Sequence, residues 1–370
     1  MHKPHNHSPV LIKINNPAAL RLLHAAMQNT AANFAPLVAS LRPADWADFA
    51  TLVEYHEIVP LVWHRLRHDA LPAELAATWR EQYYLNAVRN DARIAELKAV
   101  LRDLAECGIA PVLLKGMALA PSVYGNIALR QMADMDMLVR REDLGVTWAV
   151  LSARGYLVPA ATPRYWRLQF RNGGELRLVH QRSTALIEVH WWLCAGTWAA
   201  QSGLLTRCNP WRRVRADTLD DQPVLRLHPH DEVLHIAHHL AVSNQFGSGV
   251  GRMLVDLDRL IRASSINWLK LLAEARALNV ATMLWLALHV VQELLATPIP
   301  SIAQQLAPPL WQRWLLQQQI QPCELLAGAD PRRIAVRRYL LLLAMLDQPR
   351  DMLGMIRTGI DEWRSPITKT

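Results

Sequence analysis

Met132-Ala133-Asp134-Met135-Asp136-Met137-Leu138-Val139 sets two acids in a segment that otherwise reads as a buried strand. Side chains alternate along a strand, so Asp134 and Asp136 leave one face while Met135 and Met137 point to the other. Their Cα atoms would lie roughly 6.6 Å apart, close enough for both carboxylates to converge on one or two hard cations. Buried acids are costly unless they are paired, protonated or bound to metal, and an apolar strand offers little else to pair them. An edge strand whose acids face water is the competing reading of the segment taken alone.

The flanks favour the metal reading. Upstream, Ile109-Ala110-Pro111-Val112-Leu113-Leu114 reads as a short buried strand running into Lys115-Gly116, and Met117 to Tyr124 is compatible with a helix. A strand that ends in Gly and opens a helix gathers backbone N–H groups at one point, which suits phosphate. Arg130 precedes Asp134 by four residues; it offers a planar, permanently charged fork to phosphate oxygens, or simply neutralises Asp134. Downstream, Leu186 to Trp191 alternates so that Glu188 and His190 share one strand face, with Ile187 and Val189 on the other.

The stretch from Leu113 to Asp143, LLKGMALAPSVYGNIALRQMADMDMLVRRED, resembles the uncharacterised bacterial nucleotidyltransferase family of the DNA polymerase beta-like superfamily. The similarity extends more loosely from about Trp46 to Leu288. That superfamily carries a Gly followed by Ser or Gly on a strand-to-helix turn, an Asp-x-Asp or Asp-x-Glu strand, and a third acid on a later strand. The resemblance implies an α+β fold: a polymerase beta-like nucleotidyltransferase core of mixed sheet and helices, flanked by helical N- and C-terminal regions. It also implies that the Glu188 strand lies beside the Asp134 strand, which makes Asp134, Asp136 and Glu188 one catalytic, metal-holding cluster with His190 behind it. Lys115, Gly116 and Arg130 become the nucleotide-binding residues.

The implied reaction transfers a nucleoside monophosphate from a nucleoside triphosphate such as ATP to an unidentified acceptor hydroxyl and releases pyrophosphate. Two Mg²⁺ ions, or Mn²⁺ in their place, would span the triphosphate and the acceptor oxygen. Met117 departs from the superfamily pattern, standing where Ser or Gly is usual, and the distance from Gly116 to Asp134 exceeds the common spacing. Both features resemble those of the narrower family. The third acid is Glu rather than Asp.

Two other functions compete. A catalytically degenerate nucleotidyltransferase fold, acting as a binding or antitoxin-like module, is left open by Met117. A metal-dependent phosphohydrolase is suggested by His235, His238 and His239, which share a helical face, together with Asp256. The pattern departs from His-Glu-x-x-His, so satisfied histidines lining a domain interface are expected instead. Asp256 and Asp258 have Arg252 and Arg262 at helical spacing and read as surface ion pairs.

Composition sets the bounds. With 370 residues, 51% hydrophobic and 19% charged, the chain can bury a substantial core and is not disordered. A formal net charge of +8 favours anionic partners. The clusters Arg212-Arg213-Val214-Arg215, Arg332-Arg333 and Arg337-Arg338 read as a solvated basic face rather than a nucleic-acid groove. The 14 Trp, many at helical spacing with Leu and Val, are expected in the core. Cys107, Cys194, Cys208 and Cys323 show neither zinc nor disulfide spacing. Without a convincing signal peptide or an apolar stretch long enough to span a bilayer, a cytoplasmic protein with no integral membrane association is expected.

Along the chain, residues 1–108 read as a helical region, 109–227 as the nucleotidyltransferase core and 228–370 as a helical domain. Within the core, Arg141 to Ala153 reads as a helix ended near Gly155. Leu168–Arg171 and Leu176–Gln181 flank Asn172-Gly173-Gly174, a hairpin signal, and Arg182-Ser183-Thr184 turns into the Glu188 strand.

Overall fold

Seven short strands form one mixed sheet in a computed structural model that describes residues 13–29, 33–159, 162–183, 185–328 and 335–364. Thr184 and Arg332-Arg333, which carried expectations above, lie outside the described residues. The strands are β1 (Val112–Leu113), β2 (Met135–Leu138), β3 (Tyr156–Leu157), β4 (Glu175–His180), β5 (Leu186–His190), β6 (Arg215–Leu219) and β7 (Gln222–Arg226). Their order is β3-β4-β5-β2-β1-β7-β6. The parallel pair β2–β5 sets Asp136 opposite Glu188 and Leu138 opposite His190. On its other side β2 meets β1 antiparallel, and β1 runs parallel to β7. The architecture is α+β.

Every residue of β2 is buried, as expected of a strand covered on both faces. Met135, Met137, Ile187 and Val189 enter one apolar cluster with Leu97, Leu101 and Leu104 of the long helix Ala73–Glu106. That helix stops before Gly108, whose φ of +75° is a conformation glycine adopts without steric cost. A second cluster joins N-terminal helices, through Leu22, Phe49 and Trp79, to Trp198 on the short helix Thr197–Gln201 and to Leu254 and Leu284 of the later helical region. Among the described residues, no helix is long and apolar enough to cross a membrane.

His56 pins these regions together. Its Nε2–H donates to the Leu326 carbonyl (3.0 Å) and its Nδ1 accepts from the Gly251 N–H (3.2 Å), a pairing only the neutral ring can make. Burial holds His56 and also His238 down at about 4. The unfolded chain binds a proton at each near pH 6.5, the folded chain only near pH 4, so this stability is complete above pH 6.5 and is lost as pH falls toward 4. Each site should cost about 2 kcal/mol at pH 5 relative to pH 7.5. Urea unfolding at the two pH values tests this, and equal midpoints would contradict it.

Three local expectations are corrected. Asn172-Gly173-Gly174 is not a hairpin: Pro163–Leu168 is helical and continues as a wide helical turn through Gln169–Gly173. Thr162 caps that helix, accepting from the Tyr165 N–H, and Gly174 at φ +71° ends it, so the glycine terminates a helix instead of turning a hairpin. The two-residue turn lies elsewhere, at Asp220-Asp221 between β6 and β7, with Asp220 at φ +53°. The Arg212–Arg215 cluster is not simply solvated either, since Arg213 holds Asp231 bidentately (2.7 and 2.6 Å) and also meets Glu274. Asp256 and Asp258 are buried rather than superficial. Arg262 does pair with Asp258 (2.8 Å), but Arg252 turns to Glu57.

Candidate functional site

Alternation along two parallel strands assembles the site. Asp136 on β2 and Glu188 and His190 on β5 turn to one face, and one ligand atom from each lies within 4.8 Å of the others. Lys115 joins them from the first position of the helix Lys115–Val123, its Nζ 2.6 Å from Asp136 Oδ1 and 3.6 Å from Glu188 Oε2. His190 Nε2–H donates to the same Asp136 oxygen (2.9 Å), while Nδ1 lies 3.4 Å from Glu175. His190 is therefore inside the cluster, not behind it.

Asp134 sits one residue before β2 on the wall of the same cavity, half-buried and outside that tight group. The cavity, of about 520 Å³, lies within the usual range for a small-molecule site.

The charges are unevenly balanced. Burial works against the Asp136 carboxylate, yet Lys115 and His190 hold it well below the ordinary carboxylate range. Burial would likewise lower the Lys115 ammonium, but Asp136 and Glu188 outweigh it and hold Lys115 up. Glu188 and Asp134 go the other way: burial, then the Asp136 charge, push both upward. One ammonium thus serves several crowded carboxylates, and a further cation would relieve them. Carboxylate oxygens are a donor set that admits Mg²⁺ or Mn²⁺, with His190 Nε2–H committed to Asp136.

Gly116 stands where backbone must come close. A Cβ there would lie 2.8 Å from Met132 Sδ and closer still to Arg130 Nη1. Gly116→Ala should cost about 1–3 kcal/mol through this overpacking and displace Arg130 or Met132. Thermal unfolding checks the cost, and a wild-type midpoint would show that the corner yields freely. Met117 turns its side chain into the apolar cluster beneath the sheet.

A model of the family described as "Uncharacterised nucleotidyltransferase" matches residues 42–296, more than half of the chain. The chain belongs to this family. No curated protein matches it.

Within this nucleotidyltransferase, Arg130 differs from the sequence reading. It lines the cavity, but its guanidinium is buried and locked bidentately on Asp256, Nε to Oδ1 and Nη2 to Oδ2, both at 2.8 Å. Neither Asp134 nor a free phosphate fork accounts for it. Asn86 and Asn90, one turn apart on the long helix, clamp the same loop by donating to the carbonyls of Ile127, Ala128 and Arg130.

The histidine face was also misplaced. His235, His238 and His239 line the cavity rather than a satisfied interface, and Nε2 of both His235 and His238 lacks a partner among the described residues. The nearby His230-Asp231 dipeptide is consumed by Glu274 and Arg213. Arg252 is a cavity-lining cation that sequence spacing had assigned to Asp256.

Proposed function

We propose that this nucleotidyltransferase moves a nucleoside monophosphate from a nucleoside triphosphate, such as ATP, to an acceptor hydroxyl, using divalent cations held by Asp136, Glu188 and Asp134. The observation that carries the reading is the Asp136–Glu188–His190 cluster beside a glycine-opened helix, both facing one cavity. Bound there, Mg²⁺ or Mn²⁺ supplies neutralisation of phosphate charge and activation of the attacking oxygen.

The chain's own residues do the rest. Gly116 and the helix N-terminus behind it receive the outer phosphates through their backbone N–H groups. Lys115 and Arg252 bring positive charge to the same cavity. Arg130 acts by position, fixing the loop that leads into β2 through Asp256. His190 orients the Asp136 carboxylate. The acceptor oxygen attacks the α-phosphorus, the bond to pyrophosphate breaks with its electron pair leaving on pyrophosphate, and the hydroxyl proton passes to Glu188. In this reading residues 109–227 form the transfer core, 1–108 its helical support, and 228–370 the opposite wall of the cavity.

The Lys115–Asp136 ion pair supports one other reading, a degenerate scaffold that binds nucleotide without transfer. Nucleotides labelled at the α or the γ phosphate, incubated with Mg²⁺ and a pool of acceptors, separate the two. Label should move only from the α position, with pyrophosphate released. Glu188→Gln should keep nucleotide binding and lose transfer about 100-fold or more, the ordinary worth of an acid–base group. Label moving from γ would make the protein a kinase, and binding without pyrophosphate release would favour the degenerate scaffold.

A further inference from the structure

We propose that His235 marks the acceptor side of the cavity, its Nε2 accepting a hydrogen bond from a hydroxyl of a polyol-type substrate; calling that ligand the acceptor rests on the transfer reading above. His235 lies on the helix Pro229–His238, is 4% exposed, and lines the cavity. Its Nδ1 lies 2.7 Å from the Leu193 carbonyl. A carbonyl can only accept, so Nδ1 carries the hydrogen, and in a neutral ring Nε2 is then a bare lone pair. That Nε2 is buried and has no partner among the described residues. Buried acceptors are nearly always paired, so an unmet one on a cavity wall points to a ligand.

The ring stays neutral, since burial and then the Lys115 charge hold it down at about 3. A lone pair repels phosphate oxygens, so this wall rejects the triphosphate that the Lys115-Gly116 corner would receive. It requires a donor instead. The neutral lone pair gives an ammonium no counter-charge, whereas a hydroxyl needs only an acceptor. His238, farther along the helix, adds a second unpartnered Nε2, which suits several hydroxyls better than one.

The test uses the full-length protein with ¹⁵N-labelled histidine rings. Nε2 of His235 should report an unprotonated nitrogen, and glycerol or ribose, with or without Mg-ATP, should move that signal while inorganic phosphate does not. His235→Asn retains an amide N–H for the Leu193 carbonyl but deletes the lone pair. It should keep the wild-type melting temperature and Mg-ATP affinity, yet lose about tenfold in ribose affinity by calorimetry, the worth of one hydrogen bond. A protonated Nε2, a signal that neither polyol moves, or wild-type ribose affinity in His235→Asn would each overturn the proposal. If His235→Asn does not fold, the wild-type spectra decide alone. Failure of ATP to bind while ribose still moves His235 would sink the transfer reading and leave the hydroxyl site; ATP binding with a silent His235 would do the reverse.

Discussion

Asp256→Ala should unfold about 3–5 kcal/mol more easily than the wild type. Asp256 takes two hydrogen bonds from Arg130 and one from the Tyr124 hydroxyl (2.6 Å), all among buried groups. Removing the carboxylate leaves the Arg130 guanidinium, itself only 4% exposed, with no charge to meet it. Solvent cannot substitute at that depth, so most of the desolvation cost remains in the folded state. Replacing both partners, Arg130→Met with Asp256→Leu, removes the orphaned charge as well and should recover a large part of the loss. Denaturant unfolding of the two single variants and the double variant measures the coupling. A single-variant cost under about 1 kcal/mol would show that the pair is not the tie between the loop before β2 and the helix Val250–Ala263.

Asp136→Asn should abolish transfer, lowering its rate by about 10³-fold or more. Asp136 is the meeting point of the site, its Oδ1 shared by Lys115 and His190 and its backbone register fixed opposite Glu188. An amide of the same shape keeps the packing but withdraws the charge that a cation and Lys115 both require. The cost is therefore chemical before it is structural. A rate within tenfold of wild type would move the chemistry away from Asp136.

The central cluster was legible because two local rules converged on it. Strand alternation put Asp134 and Asp136 on one face and Glu188 with His190 on one face of β5, and the family resemblance supplied the adjacency that alternation cannot; Asp134, one residue before β2, stands outside the tight group. Lys115-Gly116 was legible for the same reason, as a strand running into a helix. Pairings across long sequence separation were not. Arg130 meets an acid 126 residues downstream, and helical spacing offered Asp256 a nearer partner in Arg252, which the fold sends to Glu57 instead. His235, His238 and His239 were seen as one helical face, but which cavity that face would wall depends on how the C-terminal helices pack on the sheet. Gly174 carried a real signal for a left-handed turn, and only the Thr162 cap before it shows that a helix, not a strand, arrives there.

In the proposed reaction the Asp136–Glu188 face binds a nucleoside triphosphate through divalent metal. Calorimetry of ATP with the wild-type protein, in Mg²⁺ and then in EDTA, tests it most directly, with Asp136→Asn run alongside. The expected result is saturable binding in Mg²⁺ that is lost in EDTA and lost equally in Asp136→Asn. ATP binding of the same strength in EDTA, or in Asp136→Asn with Mg²⁺ present, would contradict it.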